Sequence, residues 1–271
     1  MSLSLVEWCQ VAIGPRRVWY TGCMIVKTRN FEVAVYAKGD PASAKLAIVI
    51  PGRLDTKDYL HNTSLVDYLA TRGFYAISFD PPGTWESPGS IDLYTTTNCL
   101  KVVDELIEHF GNKPTLLAGH SRGGTVAMLA APKNPHVTHF IPIMSYYGAP
   151  SAPEPDRIEN GALVSYRDLP PGTSKSENPK RFDLPLTYFE DGQQYDALEG
   201  LKTCIKPKLF FYGTQDVMND PEDVKVAFEQ SAEPKMIHEL NSEHDYRLHP
   251  EIVEEVNGVV GQFLDKYLSY S

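Results

Sequence analysis

Three polar residues, far apart along the chain, have the types and positions that nucleophilic catalysis needs. Ser121 is the centre of a G-x-S-x-G pattern, Gly119-His120-Ser121-Arg122-Gly123. Asp216 and His244 each follow a later apolar run. A serine hydroxyl is a poor nucleophile unless a histidine, itself oriented by a carboxylate, takes its proton. The sequence therefore predicts Ser121 as the nucleophile, His244 as the base and Asp216 as the acid.

The residues around Ser121 predict a strand, a sharp turn and a helix. Residues 114–118 form an apolar run typical of a strand, and residues 123–131 are small and compatible with a helix. A serine at the tip of such a turn is exposed and lies at a helix N-terminus. Gly119 and Gly123 carry no Cβ, so strand and helix can approach closely. The alternative is a glycine-rich turn in which the serine only caps a helix.

Other residues are alternatives for the acid and the base. They are Asp220, Asp191 and Asp196 for the acid, and His238, His249 and His120 for the base. Asp216 and His244 are preferred because each lies just past the carboxyl end of an apolar run, and such ends meet at one edge of a parallel sheet. A turn role for Asp216 and a structural role for His244 compete with catalysis.

Backbone amides near the serine are candidates for stabilising an oxyanion. One is the amide of Arg122, directly after the nucleophile. The second is expected from the loop after the apolar run 46–50, where Arg53 is the first choice and Leu54 the second. The two arginine side chains could also favour an acidic substrate group, or instead point to solvent or pair with surface carboxylates such as Asp55.

Apolar runs that alternate with helical patterns predict the elements that position these residues. The predicted strands cover residues 17–27, 31–38, 46–50, 74–79, 114–119, 140–145, 208–213 and 236–240, and the clearest helices cover 58–72, 94–110 and 250–268. Such alternation implies right-handed βαβ units and a mostly parallel sheet with helices on both faces. The first two strands, joined at Asn30, predict an antiparallel hairpin at one edge.

The alternation breaks over residues 151–204, which are rich in proline, charge and aromatic side chains. Ordered loops of this length are uncommon in compact domains. We therefore expect a small cap inserted into one α/β core formed by residues 1–150 and 205–271, with a disordered loop as the alternative. Its aromatic rings would shape a pocket, and Tyr146 and Tyr147 are candidate substrate contacts that core packing explains equally well.

These motifs resemble the α/β-hydrolase superfamily over nearly the full length of the chain. The resemblance rests on the serine motif, Asp80-Pro81-Pro82-Gly83, Gly213-Thr214-Gln215-Asp216 and Glu243-His244-Asp245. Pro51-Gly52 stands where many members carry His-Gly. The resemblance implies an eight-stranded, mostly parallel sheet, a Ser-His-Asp triad and hydrolysis of esters or related acyl bonds without a cofactor.

On this resemblance we expect a serine hydrolase that cleaves carboxylic esters through an acyl-enzyme, as a carboxylesterase does. The same triad would serve an acylglycerol lipase, a thioesterase, a peptidase, a cofactor-free haloperoxidase or a carbon–carbon bond hydrolase. A dehalogenase is disfavoured because those enzymes use a carboxylate nucleophile. A non-catalytic relative that uses the fold for binding is the alternative outside enzymes.

Composition limits the partners and the location. The 271 residues include 35 acidic and 25 basic side chains, a net charge of −10, so neither nucleic acid nor an anionic membrane is an expected partner. A small-molecule ester is expected instead. No segment has 18 consecutive apolar residues, and the N-terminus lacks the pattern of a signal peptide. Irregularly spaced cysteines predict free thiols in the cytoplasm, with no metal site or disulfide: Cys9, Cys23, Cys99 and Cys204.

Overall fold

Eight strands with mainly apolar side chains form the central sheet. The structure is a computed structural model and describes residues 24–268. In spatial order the strands are β1 (Met24–Lys27), β2 (Glu32–Lys38), β4 (Tyr75–Phe79), β3 (Leu46–Ile50), β5 (Thr115–His120), β6 (Val137–Ile143), β10 (Lys208–Gly213) and β11 (Lys235–Leu240). β2 is antiparallel to β1 and β4, and the other pairs are parallel. This confirms the eight-stranded, mostly parallel sheet.

Both faces of the sheet are covered, which explains why its inner strands are apolar throughout. Along β3, Ile48 and Ile50 join one buried cluster, whereas Ala47 and Val49 join the other. This alternation follows from side chains that point to opposite faces at successive residues. On one face lie α1 (Leu60–Thr71) and α7 (Pro250–Tyr267), and on the other lie α2 (Thr96–His109), α3 (Arg122–Ala130) and α6 (Pro221–Gln230).

The predicted boundaries hold to within a few residues, and the differences have local causes. The hairpin of β1 and β2 pairs Lys27 with Glu32, while residues 17–23 of the predicted first strand lie outside the described residues. The predicted strand 140–145 instead spans Val137–Ile143. It ends there because Met144 has a φ of 46°, which is incompatible with an extended strand.

The segment between β6 and β10 carries its own elements. A second, antiparallel sheet contains β7 (Ile158–Glu159), β8 (Ala162–Arg167) and β9 (Lys180–Pro185), and it is followed by α4 (Leu186–Gly192) and α5 (Leu198–Thr203). Its apolar side chains do not form a separate core. Leu163, Leu184 and Phe189 belong to the same buried cluster as α2 and α3, so this segment packs directly onto the main sheet's helical layer.

Two further expectations concern cysteines and membranes. Cys99 and Cys204 are buried free thiols, whereas Cys9 and Cys23 lie outside the described residues.

Between residues 24 and 268, none of the helices combines the length and the apolar character that crossing a bilayer requires.

Candidate active site

Ser121 occupies a sharp turn between β5 and α3. Its backbone lies at φ 51° and ψ −123°, a region that costs a residue with a side chain about 1–3 kcal/mol. The turn is held from both sides, because the Ser121 amide donates to the Ile143 carbonyl at 2.9 Å and the Ser121 carbonyl accepts from the amide of Gly124 at 3.0 Å. A strained, fixed serine at a strand end is a geometry suited to a nucleophile.

The glycines of this turn are required by close packing, as the sequence predicts. A Cβ on Gly119 would lie 2.4 Å from the carbonyl carbon of Gly123, and one on Gly123 would lie 2.0 Å from the carbonyl oxygen of Ile50. Both neighbours are backbone atoms and cannot rotate away. Any side chain at these positions would therefore push α3 off the sheet.

Asp216 and His244 reach the same edge of the sheet as Ser121. The loop after β10 carries Asp216, and the loop after β11 carries His244. Nε2 of His244 lies 2.9 Å from Oγ of Ser121, and Nδ1 lies 2.7 Å from Oδ2 of Asp216. The three side chains thus form one hydrogen-bonded chain in which a histidine can take the serine proton while a carboxylate orients its ring.

The carboxylate of Asp216 is fixed by its own loop. Oδ1 accepts hydrogen bonds from the amides of Met218 at 2.8 Å and Asn219 at 2.9 Å, which leaves Oδ2 for His244. Burial by itself raises the pKa of Asp216, but the hydrogen bond from His244 and the two amides outweigh it and hold the pKa below its usual value. Asp216 is therefore an anion at neutral pH and can stabilise a positively charged imidazole.

The backbone amides near Ser121 that could donate to an oxyanion differ in whether another group already accepts from them. The amide of Arg122 lies in the first turn of α3, where N–H groups lack an intrahelical acceptor. Within residues 24–268 the amide of Arg53 donates to no other protein group. The second choice from the sequence, Leu54, is corrected by the structure, because its amide donates to the Tyr94 hydroxyl at 3.1 Å and is already in use. Arg122 and Arg53 remain the candidate oxyanion donors.

A cavity of about 940 Å³ opens over Ser121 and His244. Tyr146 lines it, but Tyr147 is not among the described residues that do: its ring packs against the buried core and against the ring of Tyr146, with centroids 4.7 Å apart. Substrate contact is thus better assigned to Tyr146. The cavity wall also includes the aromatic side chain of Phe189 and charged side chains such as those of Arg157 and Asp223.

In the described part of the chain, the Arg122 side chain does not pair with a carboxylate, which was one alternative from the sequence. The guanidinium of Arg122 donates to the Gly148 carbonyl at 3.2 Å and to the hydroxyl of Thr96, which ties the start of α3 to neighbouring segments. Asp55 is not a surface carboxylate: it is 4% exposed, and Nε of Arg167 lies 3.8 Å from it. Arg122 is therefore a structural tether as well as a candidate amide donor.

The alternative acids and bases are engaged elsewhere. Asp220 caps α6, Asp196 accepts from the amide of Leu198, and Asp191 accepts from Thr97. His238 contacts Glu255, and His249 contacts Glu243. None of these partners is a triad residue. The structure brings together the three residues that the sequence preferred.

Sequence reasoning missed a group of residues behind the triad. His120 is buried, and its Nε2 lies 2.9 Å from the carbonyl oxygen of His244. Asp55 and His61 lie on its other side. Burial, helped by the nearby His120, lowers the pKa of His61 to about 3, so this ring is neutral at neutral pH. The available signal was the position of His120 next to Ser121, but its partners come from a loop and a helix whose paths the sequence does not specify.

Comparisons with known proteins agree with this fold. A profile described as alpha/beta hydrolase fold matches residues 47–182, and the chain therefore belongs to the α/β-hydrolase fold family. Sequence comparison with curated proteins gave no match.

Solved structures with the same fold match almost the whole chain. Est1E from Butyrivibrio proteoclasticus with ferulic acid bound is 19% identical, with a TM-score of 0.71 over 90% of this chain and 99% of that chain. Alpha/beta hydrolase domain-containing protein 10 from mouse is 18% identical, with a TM-score of 0.71 over 92% and 100%. A monoacylglycerol lipase from Paleococcus ferrophilus is 20% identical, with a TM-score of 0.67 over 87% and 99%. At these identities the likeness establishes the fold alone.

Proposed function

We propose that the protein is a serine hydrolase that cleaves carboxylic esters of small molecules, with Ser121, His244 and Asp216 as its catalytic residues. The observation that carries this proposal is the unbroken hydrogen-bond chain, with contacts of 2.9 Å and 2.7 Å, at the mouth of a cavity. A binding protein has no need for a strained serine aligned with a histidine and a buried carboxylate. Membership of the α/β-hydrolase fold family supports hydrolysis, and the preference for esters is the more specific part of the proposal.

The first half of the reaction follows from the hydrogen-bond directions. Ser121 Oγ attacks the acyl carbonyl while His244 Nε2 takes its proton. The Nδ1–H of His244 donates to Asp216, which keeps Nε2 free to accept and stabilises the imidazolium that forms. The imidazolium then protonates the leaving alcohol, and an acyl-serine remains.

The second half uses the same groups in reverse. Water enters the cavity and attacks the acyl carbonyl of the ester at Ser121 while His244 removes its proton. The bond from the acyl carbon to Oγ of Ser121 then breaks, the imidazolium returns the proton to Oγ, and the carboxylic acid leaves. Each tetrahedral intermediate carries a negative oxygen, for which the amides of Arg122 and Arg53 are the proposed donors. One such donor contributes about 3–4 kcal/mol to the transition state in comparable sites.

We assign the pocket walls to the segment between β6 and β10. Residues 151–204 would act as the cap, because this segment contributes Arg167 and Phe189 to the cavity that contains Ser121. The cap would select the acyl or alcohol group by shape, whereas the core would supply the chemistry. Tyr146, which follows β6 in the core, would add a wall opposite the cap.

The test is the loss of turnover in Ser121→Ala. Hydrolysis of a short-chain p-nitrophenyl ester should fall by about 10⁴-fold or more. Ser90→Ala is a matched control, since Ser90 caps a short 3₁₀ turn before α2 and its loss should leave the rate unchanged. Retention of wild-type turnover by Ser121→Ala would refute the assignment.

A second readout separates an enzyme from a binding protein. A fluorophosphonate probe should label the wild-type protein at Ser121, identified by peptide mass spectrometry, and should not label Ser121→Ala. Absence of an adduct on a folded wild-type chain contradicts the triad. A panel of esters, thioesters and amides then distinguishes an esterase from the related acyl hydrolases.

A further inference from the structure

A second cluster of ionisable side chains, Asp55, His61 and His120, lies directly behind the triad. We refer to it as the buried histidine cluster. Asp55 follows β3, His61 is the second residue of α1 and His120 is the last residue of β5. All three are at most 4% exposed. The proposed reaction uses none of them.

Three of the four ring nitrogens of this cluster lack hydrogen-bond partners. Among the described residues, neither ring nitrogen of His61 nor Nδ1 of His120 has one, although each atom is fully buried. Buried polar atoms are nearly always paired, because they lose water without a replacement otherwise. Unpaired imidazole nitrogens that converge on a carboxylate are the donor set of a metal site rather than of an ordinary core.

The geometry of the cluster converges on one oxygen. Oδ2 of Asp55 lies 3.6 Å from Nδ1 of His120 and 3.9 Å from Nε2 of His61. One donor atom from each residue lies within 4.8 Å of the others. A tetrahedral zinc ion with bonds of about 2.0–2.1 Å keeps its donors about 3.3–3.5 Å apart. The two distances to Oδ2 need to close by a few tenths of an ångström, and the separation of the two nitrogens, at most 4.8 Å, must close to the same range.

The hydrogen bonds of His120 determine which nitrogen is available. Its Nε2 lies 2.9 Å from the carbonyl oxygen of His244, which can only accept, so Nε2 carries the proton. Nδ1 then faces Oδ2 of Asp55 at 3.6 Å, where either a proton or a metal cation can satisfy both atoms.

We propose that the buried histidine cluster is a binding site for one Zn²⁺ ion, held by Asp55 Oδ2, His61 Nε2 and His120 Nδ1. Two imidazoles and a carboxylate suit zinc, whereas calcium and magnesium prefer oxygen ligands alone. A fourth ligand would be water from the cavity, since Asp55 and His120 both line it. The contact from His120 Nε2 to a carbonyl is the supporting hydrogen bond that metal-bound histidines usually make.

Nearby cations leave this position open. Nε of Arg167 lies 3.8 Å from Oδ1 of Asp55, the oxygen that faces away from the histidines. Arg247 is paired with Asp168 at 2.6 Å. Among the side chains of residues 24–268, no lysine or arginine pairs with Oδ2 of Asp55. The ion would therefore supply the positive charge at this oxygen.

The ion's role would be to position the triad rather than to react. His120 would link it to the backbone of His244, so zinc would stiffen the loop that carries the catalytic base. This consequence rests on the proposed function, whereas metal binding itself does not.

The decisive experiment measures metal content. Untagged wild-type protein is stripped with a strong chelator, dialysed against micromolar Zn²⁺ and then against metal-free buffer, and analysed by mass spectrometry of metals. We expect about one zinc per chain and a melting temperature that rises with zinc concentration. Less than 0.2 equivalent in the folded wild-type chain, roughly the level of non-stoichiometric binding, overturns the proposal.

Four variants locate the ion. His61→Gln and His120→Asn should each bind zinc at least about tenfold more weakly. His139→Gln is the matched control: this buried histidine of β6 contacts Thr138 and Tyr267, and its loss should leave zinc binding unchanged. Equal binding by His61→Gln and the wild type contradicts the site. Retention of zinc by the Ser121→Ala chain separates metal binding from catalysis, and loss of zinc there assigns the metal to the triad and overturns the proposal.

Cobalt supplies a spectroscopic check that does not depend on variants folding. Co²⁺ in place of Zn²⁺ should give the intense visible bands of a tetrahedral site with nitrogen and oxygen ligands. A weak octahedral spectrum, typical of loosely bound surface cobalt, would argue against the ligand set.

Discussion

Oδ2 of Asp216 lies 2.7 Å from Nδ1 of His244, and this contact uses the only carboxylate oxygen that the loop amides leave unbonded. The side chain of Asp216 is 1% exposed and that of His244 is 14% exposed. The acid is thus shielded while the base remains open to the cavity. Asp216 is therefore placed to orient the imidazole, and His244 is placed to transfer the proton.

Asp216→Asn should lower kcat by about 10³–10⁴-fold without unfolding the chain. The amide keeps the size and the contacts with Met218 and Asn219, but it cannot balance a positive imidazole. Steady-state hydrolysis of a p-nitrophenyl ester measures the effect. Asp196→Asn removes a carboxylate charge at the start of α5, outside the hydrogen-bond chain of Ser121, His244 and Asp216, and should keep its kcat. A loss of less than tenfold in Asp216→Asn is the outcome that contradicts this role.

Gly123→Ala should destabilise the protein by about 2–3 kcal/mol, because its Cβ would lie 2.0 Å from a backbone oxygen of Ile50. Gly258→Ala is the matched control in the middle of α7, where a Cβ would meet nothing within 4 Å. That substitution should stabilise the helix by about 0.5–1 kcal/mol. Urea unfolding monitored by circular dichroism measures both changes, and equal effects of the two substitutions would contradict the packing argument.

Much of the fold follows from sequence pattern, because burial on both faces leaves a strong signal. β3 and β10 read as continuous apolar runs, and their bounds match the predicted strands. Boundaries set by single backbone angles do not carry such a signal. β6 ends at Ile143 because of the positive φ of Met144, although the next residues could extend an apolar strand.

The meeting of Ser121, Asp216 and His244 was predictable because each lies past the end of a strand, and parallel strands bring their ends together. The residues that surround the triad were not predictable. The amide of Leu54 is unavailable only because Tyr94 reaches it from the loop that leads into α2. Asp55, His61 and His120 meet only because a loop, a helix and a strand end converge. Such contacts depend on loop paths, which residue types alone do not determine.

Tyr94→Phe tests the loop that presents Arg53. Tyr94 is 2% exposed, and its hydroxyl accepts from the amide of Leu54, whose φ of 59° places it in the left-handed region. Removal of the acceptor leaves a buried N–H unpaired and should cost about 1–3 kcal/mol of unfolding free energy. Since the loop also holds the candidate oxyanion amide, kcat should fall about 10-fold or more with little change in KM.

Tyr75→Phe is the matched control for this prediction. Tyr75 is also buried, in β4, and its ring packs edge-on against Phe110 away from the cavity. Its substitution should leave kcat unchanged. If both variants have wild-type kcat, the loop after β3 does not depend on Tyr94, and the assignment of Arg53 loses support.

The pair of Asp168 and Arg247 should make stability depend on pH in acid. Nη2 of Arg247 lies 2.6 Å from Oδ2 of Asp168, and both side chains are largely buried. Burial raises the pKa of Asp168, but the Ser176 amide and Arg247 outweigh it and hold the pKa below its usual value. The unfolded chain therefore binds the proton first, and the stabilisation is complete above about pH 4 and is lost as pH falls through the folded pKa.

Asp168→Asn should cost about 3 kcal/mol at pH 7, because Arg247 loses its nearest carboxylate while still buried. Urea unfolding at pH 7, 5, 4 and 3 gives the difference in unfolding free energy between the variant and the wild type. This difference should be constant down to about pH 4 and then shrink, because the wild-type carboxylate of Asp168 becomes protonated as the pH falls further. Asp183→Asn, in an exposed pair with Arg181, should change stability by less than about 1 kcal/mol. A difference between Asp168→Asn and the wild type that grows on acidification would reverse the sign of this linkage and exclude a lowered pKa for Asp168.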